Sequence, residues 1–246
     1  MTTLAPAPCP GRAPPSEPDL PSIPFSGRSL ADYVQCFALD VAALKGRDVL
    51  DVAAGPSSFT AEACARKINA AAVDPLYGCR ADALATQVLL DDARWLAQLR
   101  AKPRQPRTKL FSSFAAAEVE RRAAAQRFLA DYETHFIHNR YVGGALPRLP
   151  FFDGTFDLVL CARLLFVHAM RFDFDWHLAA CCELARVSAG EARIHPLSGA
   201  DGRPYPALAR LRRELREHGI ASEVRSIGGE SGTGSDSLLV LRRGGS

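Results

Sequence analysis

Two short apolar runs, each ending at or next to an aspartate, constrain this chain more than any other feature. They are "DVLDV" (48–52) and "AAAVD" (70–74), separated by a small-residue loop and the helix-like stretch "SSFTAEACARKI" (57–68). Runs of this length between turn signals read as buried strands of a parallel sheet. Asp51 and Asp74 then stand at the C-terminal ends of two strands, where open α/β sheets bind ligands.

The same alternation continues downstream. A third apolar run spans roughly 136 to 142, and "FDLVLC" (156–161) is a further buried strand. A helix over 175–187 starts at an Asp cap and stops before Gly190, and "EARIH" (191–195) follows as a strand. Another helix carries Pro206 in its first turn, buries Leu208, Leu211 and Leu215, and stops at Gly219. "SEVRSI" and "SLLVLRR" close the chain as an antiparallel hairpin on an otherwise parallel sheet. Ahead of the first strand, Ser29 and Asp32 form a variant capping box, with Leu30, Tyr33, Phe37, Val41 and Leu44 on one face of a helix that Gly46 ends. Tyr33 and Phe37 read as core residues or as aromatic faces toward a cation.

Two segments break the pattern. Residues 1–25 hold eight of the 17 prolines and read as a flexible arm before a domain spanning 26–246. Residues 78–135 are too long for a crossover and read as a helical insertion after strand 2, with helices at about 80–100 and 113–133. The basic stretch between them, "RAKPRQPRTK", reads as a solvated linker or as a docking patch.

A net charge of +3 is too small to call for a nucleic-acid partner, though it does not exclude one. No apolar run of about 18 residues is present to span a membrane, and the N-terminus carries no secretion signal. Seven cysteines without a C-x-x-C pair argue against a disulfide framework and a zinc site, and hence for the cytoplasm. No metal site is expected.

A strand, a small-residue loop, a helix and a second acid suit a ribose diol, whose two donors match an acceptor-only carboxylate. For a dinucleotide, the G-x-G-x-x-G positions read Ala53, Gly55 and Ser58, and Asp51 would face an anionic pyrophosphate. A cationic ligand without phosphate suits the two carboxylates better. Asp51 could otherwise cap its loop, and Asp74 could anchor the turn before Pro75.

Here the chain resembles the class I S-adenosylmethionine-dependent methyltransferases. "DVAAGPSS" matches their first motif, Asp74 in "VDPLYG" their second-strand acid, and "LPFFDGTFDLVLC" (149–161) their "LPFxDxxFDLV" segment. The resemblance covers roughly 29–77 and 136–242. It implies a Rossmann-like, mostly parallel seven-stranded sheet with helices on both faces and a terminal antiparallel strand. It also implies S-adenosylmethionine as cofactor. Asp51 would orient the methionine ammonium, directly or through water. Ala53, Gly55, Pro56 and Ser57 would pass under the methionyl and ribose portions. Asp74 would hold the ribose, with Pro75 and Leu76 beside the adenine, and Cys161 and Ala162 would lie by the reactive sulfur. One of the three usual glycines stands, and the acid before "LPF" gives way to Gly143, Gly144 and Ala145, so that backbone groups would serve the adenine.

Methyl transfer is an in-line displacement in which positioning supplies much of the rate. An alcohol or phenol acceptor also needs a base, for which His168, after the fourth strand, is the candidate. His177, His135 and His138 are further histidines near the predicted strand ends. The expected acceptor is a small molecule. The alternatives are an RNA or protein methyltransferase and a non-catalytic binding protein of the same fold. Oligomeric state is not legible.

Overall fold

The computed structural model describes residues 23–101, 114–227 and 237–244. Its centre is a seven-stranded sheet in the order β3-β2-β1-β4-β5-β7-β6. The strands are β1 (Asp48–Val52), β2 (Asn69–Asp74), β3 (Tyr141–Gly143), β4 (Phe156–Ala162), β5 (Ser188–His195), β6 (Ile220–Ser226) and β7 (Ser237–Arg243). Pairing is parallel from β3 through β5, and β7 runs antiparallel between β5 and β6. Only the final strand is therefore reversed.

Among the described residues, six helices accompany the sheet: α1 (Leu30–Phe37), α2 (Phe59–Ala65), α3 (Ala81–Ala101), α4 (Phe114–His135), α5 (Phe174–Val187) and α6 (Leu208–Glu217). Side chains of a strand alternate between faces, and the core divides accordingly. Val49, Leu158 and Leu160 pack with Leu30, Tyr33, Phe37 and Phe59 of α1 and α2. Leu50, Val52, Val159 and Cys161 point the other way, against Cys181 and Leu184 of α5 and Leu211 and Leu215 of α6. Asp51 shares the parity of Val49 and faces α1.

Two helices, α3 and α4, lie between β2 and β3, and they are part of the core. Phe128 and Tyr132 of α4 pack with Tyr77 and Tyr141 at ring centroid distances of 5.4–5.6 Å. Leu84 and Val88 of α3 join the same cluster. Burying a large apolar side chain is worth about 1.5–3 kcal/mol, so this cluster welds α4 to the sheet edge.

Several boundaries differ from expectation. α1 stops at Phe37, not at Gly46, because Ala38 turns left-handed (φ 49°) and Asp40 Oδ1 accepts from the Ala42 and Ala43 amides, opening a new turn. The third apolar run is strand only from Tyr141; Phe136–His138 form a 3₁₀ turn ended by left-handed Asn139. The cap of α5 lies two residues earlier than expected, at Asp173, whose carboxylate accepts from the Trp176 amide. Phe25, placed at the end of the arm, is buried against Phe128, and its amide donates to Asp91 at 2.9 Å. Cys79 is disulfide-bonded, whereas Cys36, Cys64, Cys161, Cys181 and Cys182 are free thiols. The arm's residues 1–22 and the basic stretch from residue 102 lie outside the described residues.

Candidate functional site

The C-terminal ends of β1 and β2 meet in one hydrogen-bonded unit. After β1 the chain reverses through two left-handed residues, Ala53 (φ 55°) and Gly55 (φ 57°). The Gly55 amide then donates to Asp74 Oδ2, and the Leu76 amide donates to Asp74 Oδ1, each at 3.0 Å. One carboxylate thus ties together the loops following both strands. Burial raises the Asp74 pKa to about 6, against the lowering effect of these two amides. Each oxygen retains a lone pair after these bonds.

Asp51 is enclosed. It has no solvent exposure, and the Tyr33 hydroxyl lies 2.8 Å from both its oxygens. Burial raises its pKa to about 8; the Tyr33 hydrogen bond and the Arg28 charge lower it, and Asp74 raises it. Tyr33 itself stacks on Phe59 at 4.4 Å, so its ring is committed to the core while its hydroxyl serves the site.

A strap of residues 25–28 crosses the small-residue loop. The Ser58 amide and the Ser57 hydroxyl donate to the Arg28 carbonyl, at 2.8 Å and 3.0 Å. Gly27 is required there: a Cβ would stand 2.8 Å from the Arg121 carbonyl and 3.0 Å from that of Pro56. Tyr77 closes the β2 side by donating its hydroxyl to the Gly55 carbonyl at 2.6 Å.

The strand order, with one reversed strand inserted next to the last edge position and acids ending β1 and β2, decides the fold. It is a Rossmann-like fold. No family model matches the chain. An uncharacterized protein of Methanocaldococcus jannaschii is 25% identical over 218 residues, covering 88% of this chain and 95% of that one. Magnesium protoporphyrin IX methyltransferase from Synechocystis, solved with bound S-adenosylmethionine, is 14% identical with a TM-score of 0.46, over 86% of this chain and 77% of its own. An O-methyltransferase family protein from Burkholderia thailandensis is 17% identical with a TM-score of 0.48, over 87% of this chain and 55% of its own.

Within this fold the structure brings together Asp51, Ala53, Gly55, Pro56, Ser57, Asp74 and Leu76, with Pro75 exposed beside them. Ala162 ends β4 opposite His195 of β5. Cys161 pairs with Val52 at the same strand end, with its thiol on the α5 side of the sheet, where burial raises its pKa far above the usual thiol range. Gly143 and Gly144 stand at the end of β3, in close contact with the loop after β2 and with Pro150. A Cβ at Gly143 would lie 2.6 Å from the Tyr77 carbonyl, and one at Gly144 would lie 2.9 Å from Pro150. The Gly144 amide already donates to the Asp74 carbonyl. These glycines serve close packing of the strand end.

His168 is half-buried; burial first, then Arg171, Arg28 and Arg163, lower its pKa to about 4. His177 is buried with both ring nitrogens against carbonyls, of Asp173 at 2.6 Å and Leu165 at 3.0 Å, and pins α5 to the preceding loop. His138 borders an open cleft of about 470 Å³ with Asp48 and Asn69 at the N-terminal strand ends, the edge away from the site. His135 stands 3.5 Å from Asp131, on α4.

Sequence reading missed Tyr33 as the partner of Asp51, and it missed Arg28 and Arg163. A tyrosine at core spacing gives no sign of where its hydroxyl ends. Arg163 could have been noticed, because "CARLL" places a charge directly after a buried strand. Among the described residues, no helix is long and apolar enough to cross a membrane.

Proposed function

We propose that this chain is an S-adenosylmethionine-dependent methyltransferase acting on a small-molecule acceptor. The observation that carries this reading is the Asp74 carboxylate bonded to Gly55 and Leu76, with Asp51 enclosed behind the same loop. The two acids and the small residues suit a cationic ligand bearing a ribose. Asp74 accepts from the ribose hydroxyls with its remaining lone pairs. Ala53, Gly55, Pro56 and Ser57 present backbone at close range, and Leu76 packs on the base. Asp51 favours the ligand's ammonium electrostatically, through the loop or a water. The cofactor, when bound, supplies a methyl group on a sulfonium leaving group. The protein's share is then alignment of the acceptor with that methyl. With its depressed pKa, His168 is unprotonated at neutral pH and a weak base, which suits an acceptor that loses its proton easily.

Calorimetric titration with S-adenosylmethionine, S-adenosylhomocysteine and NAD tests this. Micromolar binding of the first two without NAD supports it. Absence of all three sinks it and leaves the second reading, a non-catalytic protein of the same fold. One feature favours that second reading: Asp51 is fully enclosed, with its carboxylate held by the Tyr33 hydroxyl.

A further inference from the structure

Glycine has more backbone freedom than any other residue, so a ligand loop that turns on a glycine keeps its shape only where that glycine is held. Gly55 turns left-handed, at φ 57°, and it is held on both sides of its Cα. Its amide donates to Asp74 Oδ2 at 3.0 Å, and its carbonyl accepts from the Tyr77 hydroxyl at 2.6 Å. Because each peptide is planar, the first bond fixes the unit that sets φ and the second the unit that sets ψ. The Tyr77 amide in turn donates to the Asp74 carbonyl at 3.1 Å. Gly55, Asp74 and Tyr77 thus close a ring of hydrogen bonds between the loop after β1 and the turn after β2. The residue after Gly55 is Pro56, which has no amide with which to add another.

Tyr77 is itself immobilised. It is buried, Phe128 of α4 stacks on its ring at 5.6 Å, and Tyr141 of β3 meets that ring edge-on at 5.4 Å. Tyr132 of α4 lies at 5.6 Å and clamps the same turn. The Tyr132 hydroxyl accepts from the Gly78 amide and donates to the Cys79 carbonyl, each at 2.9 Å. A phenol whose ring is locked in this way presents its hydroxyl at a fixed point. A phenylalanine would fill the same place among Phe128, Tyr132 and Tyr141, so packing does not call for the hydroxyl. The Gly55 carbonyl does.

We propose that Tyr77 is a positioning residue for ligand binding. Its hydroxyl holds Gly55 in the turn that keeps the Asp74 carboxylate oriented toward a ribose, and α4 secures that hold through Phe128 and Tyr132. The ribose belongs to the methyltransferase reading, whereas the hold on Gly55 stands without it.

Tyr77→Phe keeps the ring and removes the donor. The probes are S-adenosylhomocysteine and methylthioadenosine, which has the ribose and adenine without the amino-acid portion. Both are titrated by calorimetry at a temperature where circular dichroism shows parent and variant fully folded. Each is expected to bind about three- to tenfold more weakly to the variant, the worth of one hydrogen bond. The effect should shrink when Asp74→Asn is already present, because the hydroxyl acts through that carboxylate. A bond that serves stability alone would lower the urea midpoint and leave both affinities unchanged, and that outcome overturns the proposal. Native-state hydrogen exchange reads the hold without a ligand. The Gly55 amide should exchange faster in Tyr77→Phe, while the Ala54 amide, bonded to the Val73 carbonyl at 3.3 Å, keeps its rate. An equal change at the two amides reports general destabilisation and also overturns the proposal. Failure of the parent to bind either probe removes the methyltransferase reading, and the exchange result then decides the hold by itself. Should Tyr77→Phe fail to fold, Tyr132→Phe releases Gly78 and Cys79 and is expected to speed Gly55 exchange by a smaller factor. An unchanged Gly55 rate there overturns the proposal.

Discussion

The Tyr33 hydroxyl stands 2.8 Å from each carboxylate oxygen of Asp51, and neither side chain reaches solvent. A helix residue and a strand residue thus share one buried polar contact at the centre of the site. Removing one partner strands the other.

Tyr33→Phe is expected to destabilise the fold by about 1–3 kcal/mol, the cost of an unsatisfied buried group. The loss should be greater at pH 9 than at pH 5, because the hydroxyl stabilises the ionised carboxylate and Asp51 titrates near 8. Urea denaturation at both pH values reads this. An equal loss at the two would mean that Asp51 does not ionise in the folded protein.

Stability of the ligand-free protein should fall as pH rises from 5 to 8. Asp74 and Asp51 have folded pKa values raised to about 6 and 8. Their contribution is complete below the unfolded value of about 4 and is lost as pH passes through the folded values. Glu183 and Glu191 act oppositely: burial raises them, but Arg186 and Arg193 hold them below the usual carboxylate range. Their window therefore lies at or below about pH 4.5. Asp51→Asn should flatten the slope between pH 6 and 8, measured as the urea midpoint.

Binding of S-adenosylmethionine should release a proton at pH 7. Asp51 is mostly protonated there in the free protein, and a nearby ammonium favours its ionised form. Calorimetry in buffers of different ionisation enthalpy would show the release, with affinity increasing from pH 6 to 8. Asp51→Asn should abolish both effects. An uptake of protons on binding would contradict the assignment of Asp51.

Ala53→Gly should stabilise the protein by up to about 1.6 kcal/mol. Relief of the left-handed strain at φ 55° is worth roughly 1–2 kcal/mol, offset by about 0.4–1 kcal/mol of extra entropy in the unfolded chain. Chemical denaturation decides; a loss of stability would mean that the Ala53 methyl makes a contact worth more than the strain.

Phe128→Ala should cost about 3–5 kcal/mol, as for other fully buried aromatic residues. A loss below about 1 kcal/mol in urea denaturation would mean that the aromatic cluster does little to hold α4 on the sheet edge.

Sequence alone determined the sheet. Strand identity follows from apolar runs of four to eight residues, and the parallel order follows from helices between them, both local patterns. The acids Asp51 and Asp74 were legible for the same reason, since a charge ending an apolar run is visible without coordinates. Tertiary structure decided where side chains end. Parity along β4 sends Cys161 to the α5 face, and packing against the Tyr77 carbonyl is what requires Gly143. The meeting of Tyr33 with Asp51 joins residues 18 apart, and the Ser57 hydroxyl reaches the Arg28 carbonyl from 29 residues away. No periodicity carries such pairings, because they depend on how rigid elements dock and not on the order in which they occur.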